Sequence, residues 1–391
     1  VCFNDRSGHL LMCGGATRND MASGVHMYST EERSWGHYED EEGHGKRRMY
    51  SNLALMRGLL VRYGGIDEQS SCLDGVWCFD FAALRWVDAE ASANVGDGEY
   101  PPSRFNATFT LVDEGSALLV GGRTGGSGSR STCLGDVWLL RLGEEEAMDF
   151  AWTCLSHGDS RFRAREGHST AVLNGCAFVL GGALLDRHGG DAAVYNDDAV
   201  EMFDLEKREW TSIPVLGKGP LGAIEGGGAH AVPSANNIVV LSTDTEGVFN
   251  SVYILHVGEA PGPSRPAQWT RTQVCWGGDW SMIPGVRLYP ASALDSRSGL
   301  LYVFGGHGGE NVPKQGMDIA DVSDWVPDRA NDADADEGER VREDVGGGQH
   351  SSAPLPSKIH SGGIPRSAEE LFANAAKFSQ MRKRGELFSD D

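Results

Sequence analysis

Gly64-Gly65, followed by Val76-Trp77-Cys78-Phe79-Asp80 and then by Trp86, is the stretch on which the reading of this chain turns. Self-comparison finds the same order of signals along most of the sequence. An apolar run ends in Gly14-Gly15, Gly64-Gly65, Gly121-Gly122, Gly181-Gly182 and Gly305-Gly306, and a degenerate copy, Ile238-Val239-Val240-Leu241, is followed by Ser242-Thr243. Each pair precedes a second apolar signal: Val25 and Tyr28, Val76 and Phe79, Val137 and Leu140, Val200 and Phe203, Val252 and Leu255, and a weaker Met317 and Ala320. A tryptophan closes most units, at Trp35, Trp86, Trp152, Trp210, Trp269 and Trp325. One unit is used six times, and each copy reads as four short strands. Such a strand set is apolar on both packed faces and cannot bury them alone, so neighbouring sheets must stack around an axis. The glycines supply positive φ and close backbone approach, and the outer tryptophans fill the wedge where sheets diverge.

The apolar run, glycine doublet, later aromatic and closing tryptophan, at roughly 50-residue spacing, resemble kelch repeats over residues 1–327. The resemblance implies an all-β, six-bladed kelch-type β-propeller. Two units depart from it, the fifth through Ser242-Thr243 and the sixth through its poor third strand. The division expected is a propeller over 1–327 with an N-terminally truncated first blade, a disordered acidic and then Gly/Ser/Pro-rich linker over 328–366, and a short amphipathic helix with tail over 367–391. In the linker, residues 331–345 hold seven acidic side chains and no apolar period. In the tail, Ser367-Ala368-Glu369-Glu370 is a capping-box pattern, and Leu371, Phe372, Phe378 and Met381 are the residues expected to dock the helix on a partner.

Composition narrows the function. A formal charge of −22, most of it within 1–327, argues against phosphate-backbone binding by the ring. No apolar run approaches the roughly 20 residues that span a bilayer, so no membrane partner is expected. Eight cysteines without a CxxC pair read as thiols in a reducing compartment, cytoplasmic or nuclear. The opening Val1, with no basic-then-apolar leader, reads as a cut rather than a signal peptide. No P-loop, HExxH, GxSxG or strand-to-helix GxGxxG occurs, and the expectation is therefore no catalytic residue, no cofactor and no metal. His168 and His230, which open inner strands, are expected to bond a neighbouring blade rather than hold a metal. Galactose oxidase shares the propeller architecture, but its Tyr, Cys and His copper set has no motif support here.

Aligning units on their doublets does reveal a constellation. Arg48, Arg104, Arg165 and Arg287 lie 16 to 18 residues before Gly64, Gly121, Gly181 and Gly305, while Gly227 takes the place in the fifth unit. That place opens the innermost strand, so these side chains are expected to ring the channel mouth beside the loops that follow each doublet. Planar guanidinium forks suit carboxylate or phosphate, and the kelch-like adaptor of cullin ligases holds acidic peptides on a comparable face; the resemblance implies the same use here. Arg123 and His307 complete the expected partner-binding set. The alternative is structural: each arginine bridges to the next blade, through acidic groups such as Asp67, Glu166 or Glu225.

The expectation is a non-catalytic scaffold or substrate adaptor, monomeric, that binds a protein or an anionic peptide. The second reading is an accessory propeller of an enzyme, for example a methyltransferase, whose catalytic domain lies upstream of Val1. Gly121-Gly122-Arg123-Thr124 with Leu134-Gly135-Asp136-Val137-Trp138 is faintly similar to kelch rings of tRNA-modifying enzymes related to leucine carboxyl methyltransferases.

Overall fold

The computed structural model describes residues 2–4, 8–15, 24–38, 47–81, 85–89, 100–125, 131–143, 149–185, 191–193, 199–220, 228–243, 249–272, 275–276, 290–306 and 317–326. Arg287, His307, the linker and the tail residues Leu371, Phe372, Phe378 and Met381 lie outside the described residues.

Among the described residues the strands form six four-stranded antiparallel sets, the first five running from the axis outward in chain order. The first holds β1 (Cys2–Asn4), β2 (His9–Cys13), β3 (Val25–Ser29) and β4 (Ser34–Tyr38); the second holds β5 (Asn52–Met56), β6 (Leu59–Tyr63), β7 (Val76–Asp80) and β8 (Arg85–Asp88). In the third, β9 (Thr108–Asp113) and β10 (Ser116–Val120) are followed by an extra hairpin, β11 (Arg123–Thr124) with β12 (Thr132–Cys133), and then by β13 (Val137–Leu142) and β14 (Phe150–Ser156). The fourth repeats this plan: β15 (Ser169–Leu173), β16 (Cys176–Leu180), a hairpin of β17 (Ala183–Leu185) and β18 (Asp191–Ala193), β19 (Ala199–Asp204) and β20 (Glu209–Leu216). The fifth runs through β21 (Gly228–Val232), β22 (Asn237–Thr243), β23 (Phe249–His256) and β24 (Ala267–Thr272), and its β24 pairs parallel with β20.

The sixth set corrects an expectation. Trp325 does not close it; that residue sits in a short 3-10 turn over Ser323–Trp325. The outer strand is β25 (Cys275–Trp276), drawn from the chain before the inner strand β26 (Ala291–Asp295), and the order is β25-β28-β27-β26, with β27 (Leu300–Phe304) and β28 (Met317–Asp321). The chain turns away after β28, so the last strand's edge is covered by a segment that came earlier. In the first set, β1 supplies an inner strand of three residues, so four strands are present there too.

The inner strands neighbour one another in the order β1, β5, β9, β15, β21, β26 and back to β1, which closes the ring. Six apolar clusters fill the seams. The seam between the first and sixth sets is packed by Leu10, Tyr28, Ala293, Tyr302 and Phe304. The outer tryptophans behave as their positions require: Trp86 and Trp210 are almost wholly buried, each contributing on the order of 2–3 kcal/mol of apolar burial.

Candidate partner-binding face

The doublets and the entries to the inner strands share one face, and a single clasp recurs there. The N–H of Gly15, Gly65 and Gly122 donates to the carbonyl of Arg48, Arg104 and Arg165, respectively, at 3.3, 2.8 and 2.9 Å, which ties each sheet to the next. The first glycine cannot be replaced cheaply. Gly64 has φ +70°, and a Cβ there would lie 2.4 Å from the Arg104 carbonyl oxygen. Each arginine side chain then turns back into its own sheet, where Nη1 donates to the carbonyl of that sheet's first doublet glycine: Arg48 to Gly64 at 3.0 Å, Arg104 to Gly121 at 2.9 Å, Arg165 to Gly181 at 3.2 Å.

Those guanidiniums are interior groups. Arg48, Arg104 and Arg165 are 1%, 0% and 0% exposed, so the structure places none of the three at an open rim. Their ion pairs also differ from the bridges expected between blades. Arg104 grips Asp136 of its own sheet with both Nη1 and Nη2, each at 2.7 Å, while Trp138 Nε1 donates to the same carboxylate. Arg165 donates to Glu201, again in its own sheet, at 2.8 Å from Nη2, and lies over the Phe162 ring. Burial pulls the Arg165 pKa down, and Glu201 opposes that pull. Asp67 instead caps a local turn through the N–H groups of Gln69 and Ser71, and Glu225 lies outside the described residues. The third expected partner, Glu166, serves Arg123, whose Nη1 donates to it at 2.6 Å; Asn106 Nδ2 donates to its other oxygen at 2.9 Å.

Arg123 belongs to the face proper. Its side chain is 22% exposed and it starts the β11–β12 hairpin, whose backbone is bridged to Phe105. The β17–β18 hairpin is anchored the same way, by a bridge from Ala183 to Glu166, and β12 and β17 touch. Two hairpins therefore stand together above the third and fourth sheets. Sequence reasoning missed three exposed neighbours on this face: Tyr100, Asp74 and Arg163. Among the described residues, Asp74 and Arg163 make no ion pair. Tyr63, Asp74, Tyr100, Pro101 and Trp152 line a cavity of about 370 Å³ at the seam of the second and third sheets. For Tyr100, Asp74 and Arg163 the sequence offered only irregular loop, which carries no repeat register.

The two inner-strand histidines bond neighbouring sheets. Thr108 Oγ1 lies 3.2 Å from His168 Nε2, and His230 Nε2 lies 2.9 Å from Ser292 Oγ. Burial first, and then the Arg165 charge, push the His168 pKa down to about 3; burial brings His230 to about 4. Both stay neutral at pH 7. Among the described residues no three His, Cys, Asp or Glu side chains cluster as a metal site, and no helix is long and apolar enough to cross a membrane.

Comparison with known proteins agrees with this geometry. The family model described as the KLHDC2/KLHL20/DRC7 Kelch-repeats domain matches residues 92–274. The matched segment is a kelch-repeat domain, and the ring of antiparallel sheets is consistent with a β-propeller. The chain is also similar to an F-box/kelch-repeat protein of Arabidopsis thaliana, At1g51550, at 26% identity over 185 residues, 45% of this chain and 34% of that protein. Serine/threonine-protein phosphatase BSL2 of the same plant is 27% identical over 185 residues, 46% of this kelch chain and 16% of the phosphatase. The matched segment thus spans about a third or less of these relatives' lengths. Kelch repeats suggest a protein-interaction domain.

Proposed function

We propose that this kelch ring is a non-catalytic scaffold or adaptor that docks a protein or peptide on its doublet face, across the ridge made by the β11–β12 and β17–β18 hairpins. The observation that carries the reading is the contact between those hairpins: two neighbouring sheets spend extra residues on raising that one face. Arg163 supplies exposed cationic charge beside the ridge, and the partly exposed Arg123, already paired with Glu166, stands at its foot, which suits an acidic or phosphorylated stretch. His307 would join them from the sixth unit, while the arginines of the repeated register, Arg287 with the three buried ones, serve the fold. Free cysteines among the described residues support a reducing setting, cytoplasmic or nuclear. The ring is taken to act as a monomer, since its seams are closed among its own sheets.

A peptide-display selection on the ring tests this. Enriched peptides should carry carboxylates, and their binding should weaken about tenfold or more in Arg163→Glu or Arg123→Glu, through loss of charge-assisted contacts. Arg85→Glu, at the opposite end of the sheets, should leave binding unchanged. Equal loss at all three positions, or no enrichment, would overturn the reading.

The similarity to a protein named as a phosphatase supports a second reading, in which the ring is the interaction part of a longer enzyme. The two readings share the docking face and differ in what is attached to it.

A further inference from the structure

Arg62 breaks the pattern of the ring's interior. Counting back two residues from each doublet, or from Ser242 in the fifth unit, gives Met12, Arg62, Leu119, Val179, Val240 and Val303. Five units put an apolar side chain where the second puts a guanidinium. Arg62 is 2% exposed and stacks on Trp86, its Cζ 4.0 Å from the ring centroid. Nη1 donates across the seam to Cys13 Sγ at 3.3 Å, while Nε and Nη2 are buried with no acceptor among the described residues. A second cation is close by: burial first, and then Arg62, pull the Arg48 pKa down to about 9. A buried cation with unfilled donors is stabilised by any anion placed against it. The atom Arg62 reaches is the Cys13 sulfur; Cys13 is half-buried and sits beside Gly14 and the exposed Gly15 on the doublet face, the side from which a small solute would approach.

We propose that Cys13 is an oxidative modification site, at which a peroxide converts the thiol to sulfenic and then sulfinic acid and the Arg62 fork holds the anionic product. In the first step a sulfur lone pair attacks one oxygen of hydrogen peroxide and the O–O bond breaks. The other oxygen takes up the thiol proton and leaves as water; sulfur loses two electrons and peroxide gains them. A second equivalent repeats the oxidation and gives the sulfinic acid, whose ionised oxygens accept from the free Nε and Nη2 donors. During the attack negative charge develops on the departing peroxide oxygen, and the Arg62 fork beside Cys13 can donate to it before it takes up the proton. Cys2 is the thiol that could intercept the sulfenic acid, but β1 pairs Cys2 with Leu11, which makes Cys2 and Cys13 a diagonal pair. Diagonal partners lie roughly 7–8 Å apart at Cα, too far for a disulfide without backbone movement, and burial raises the Cys2 pKa to about 11. Oxidation therefore runs on to the sulfinate rather than closing a ring.

The test treats the full chain with limiting hydrogen peroxide, traps sulfenic acid with dimedone and reads each cysteine by peptide mass spectrometry. Cys13 should label about tenfold faster than Cys72, Cys133, Cys154 and Cys176, the gain from one charge-assisted hydrogen bond. Cys154 is the sharpest comparator, because its sulfur lies 3.5 Å from His157 Nδ1. Arg62→Leu should bring Cys13 down to the level of the others, and excess peroxide on the unaltered chain should add two oxygens at Cys13. Earlier labelling of Cys154, an unchanged Cys13 rate in Arg62→Leu, or a Cys2–Cys13 disulfide in place of the sulfinate would each overturn the proposal. The rank order needs only the unaltered chain, so the test survives a variant that fails to fold.

Discussion

Arg104 and Arg48 hold one register in neighbouring sheets, and their guanidiniums meet different company. In the third sheet Asp136 lies against Arg104 with two 2.7 Å contacts and Trp138 braces the carboxylate. In the second sheet Gly75 stands where Asp136 stands, and the nearest acidic residue in sequence, Asp74, is one position early on an exposed loop. Arg48 keeps the Gly64 carbonyl and lies 5.9 Å from the Trp77 ring centroid, and the charges of Asp74 and Asp88 act on it. Arg62 then adds a second buried cation to the same seam. One backbone clasp thus tolerates very different electrostatics, because the doublet carbonyl and the inter-sheet N–H bond do not depend on the counter-charge. The third sheet shows an arginine gripped by a two-pronged carboxylate; the second shows two guanidiniums buried in one seam.

Exchanging residues across that pair is the strongest way to break the comparison. Leu119, fully buried at the place of Arg62 in the third sheet, should not accept a guanidinium. Leu119→Arg is expected to cost about 4 kcal/mol or more, since it buries a charge among apolar neighbours with no acceptor prepared for it. Arg62→Leu should leave stability level or raise it by about 1 kcal/mol or more, because it removes an unpaired buried charge. Chemical denaturation of both variants checks this; a marked loss in Arg62→Leu would mean that its stack on Trp86 outweighs its charge.

A smaller effect sharpens the comparison through pH. His168 sits between Arg165 and the third sheet, and its folded pKa of about 3 lies well below the ordinary value of 6.5. Between those values the unfolded chain binds the proton and the folded chain does not. Stability is therefore complete above pH 6.5 and falls as pH drops toward 3. At pH 4.5 the loss from this one group should be about 3 kcal/mol. His168→Gln, which cannot take up the proton, should flatten the acid limb of a denaturation series relative to the parent. An identical acid limb would contradict the assignment.

The parts of the fold legible in the sequence are those that rest on backbone geometry. Gly64 and Gly121 are required by positive φ and by a carbonyl at contact distance, so they recur and can be counted. The fifth unit lacks both halves of the clasp at once, with Ser242-Thr243 for the doublet and Gly227 for the arginine, as expected if the two are one device. The counter-charges were not legible. Asp136 and Glu201 occupy positions two residues apart in their sheets, and either reaches the guanidinium because alternate residues on a strand point the same way. The outer strand of the sixth set was hidden for a different reason: Cys275–Trp276 is two residues long and precedes the unit it completes. Tyr100, Asp74 and Arg163, exposed on the doublet face, sit in loops whose lengths vary from unit to unit, where no period marks them.

The central claim is that the repeated arginines are parts of the fold and not a binding rim. A double-mutant cycle on Arg104 and Asp136, read by denaturant unfolding, tests it most directly. Asp136→Leu alone should cost about 3 kcal/mol or more, because it strands a fully buried guanidinium, and adding Arg104→Leu should recover most of that loss. If Asp136→Leu unfolds like the parent, and the two changes simply add, then Arg104 faces solvent or a ligand and the account is wrong.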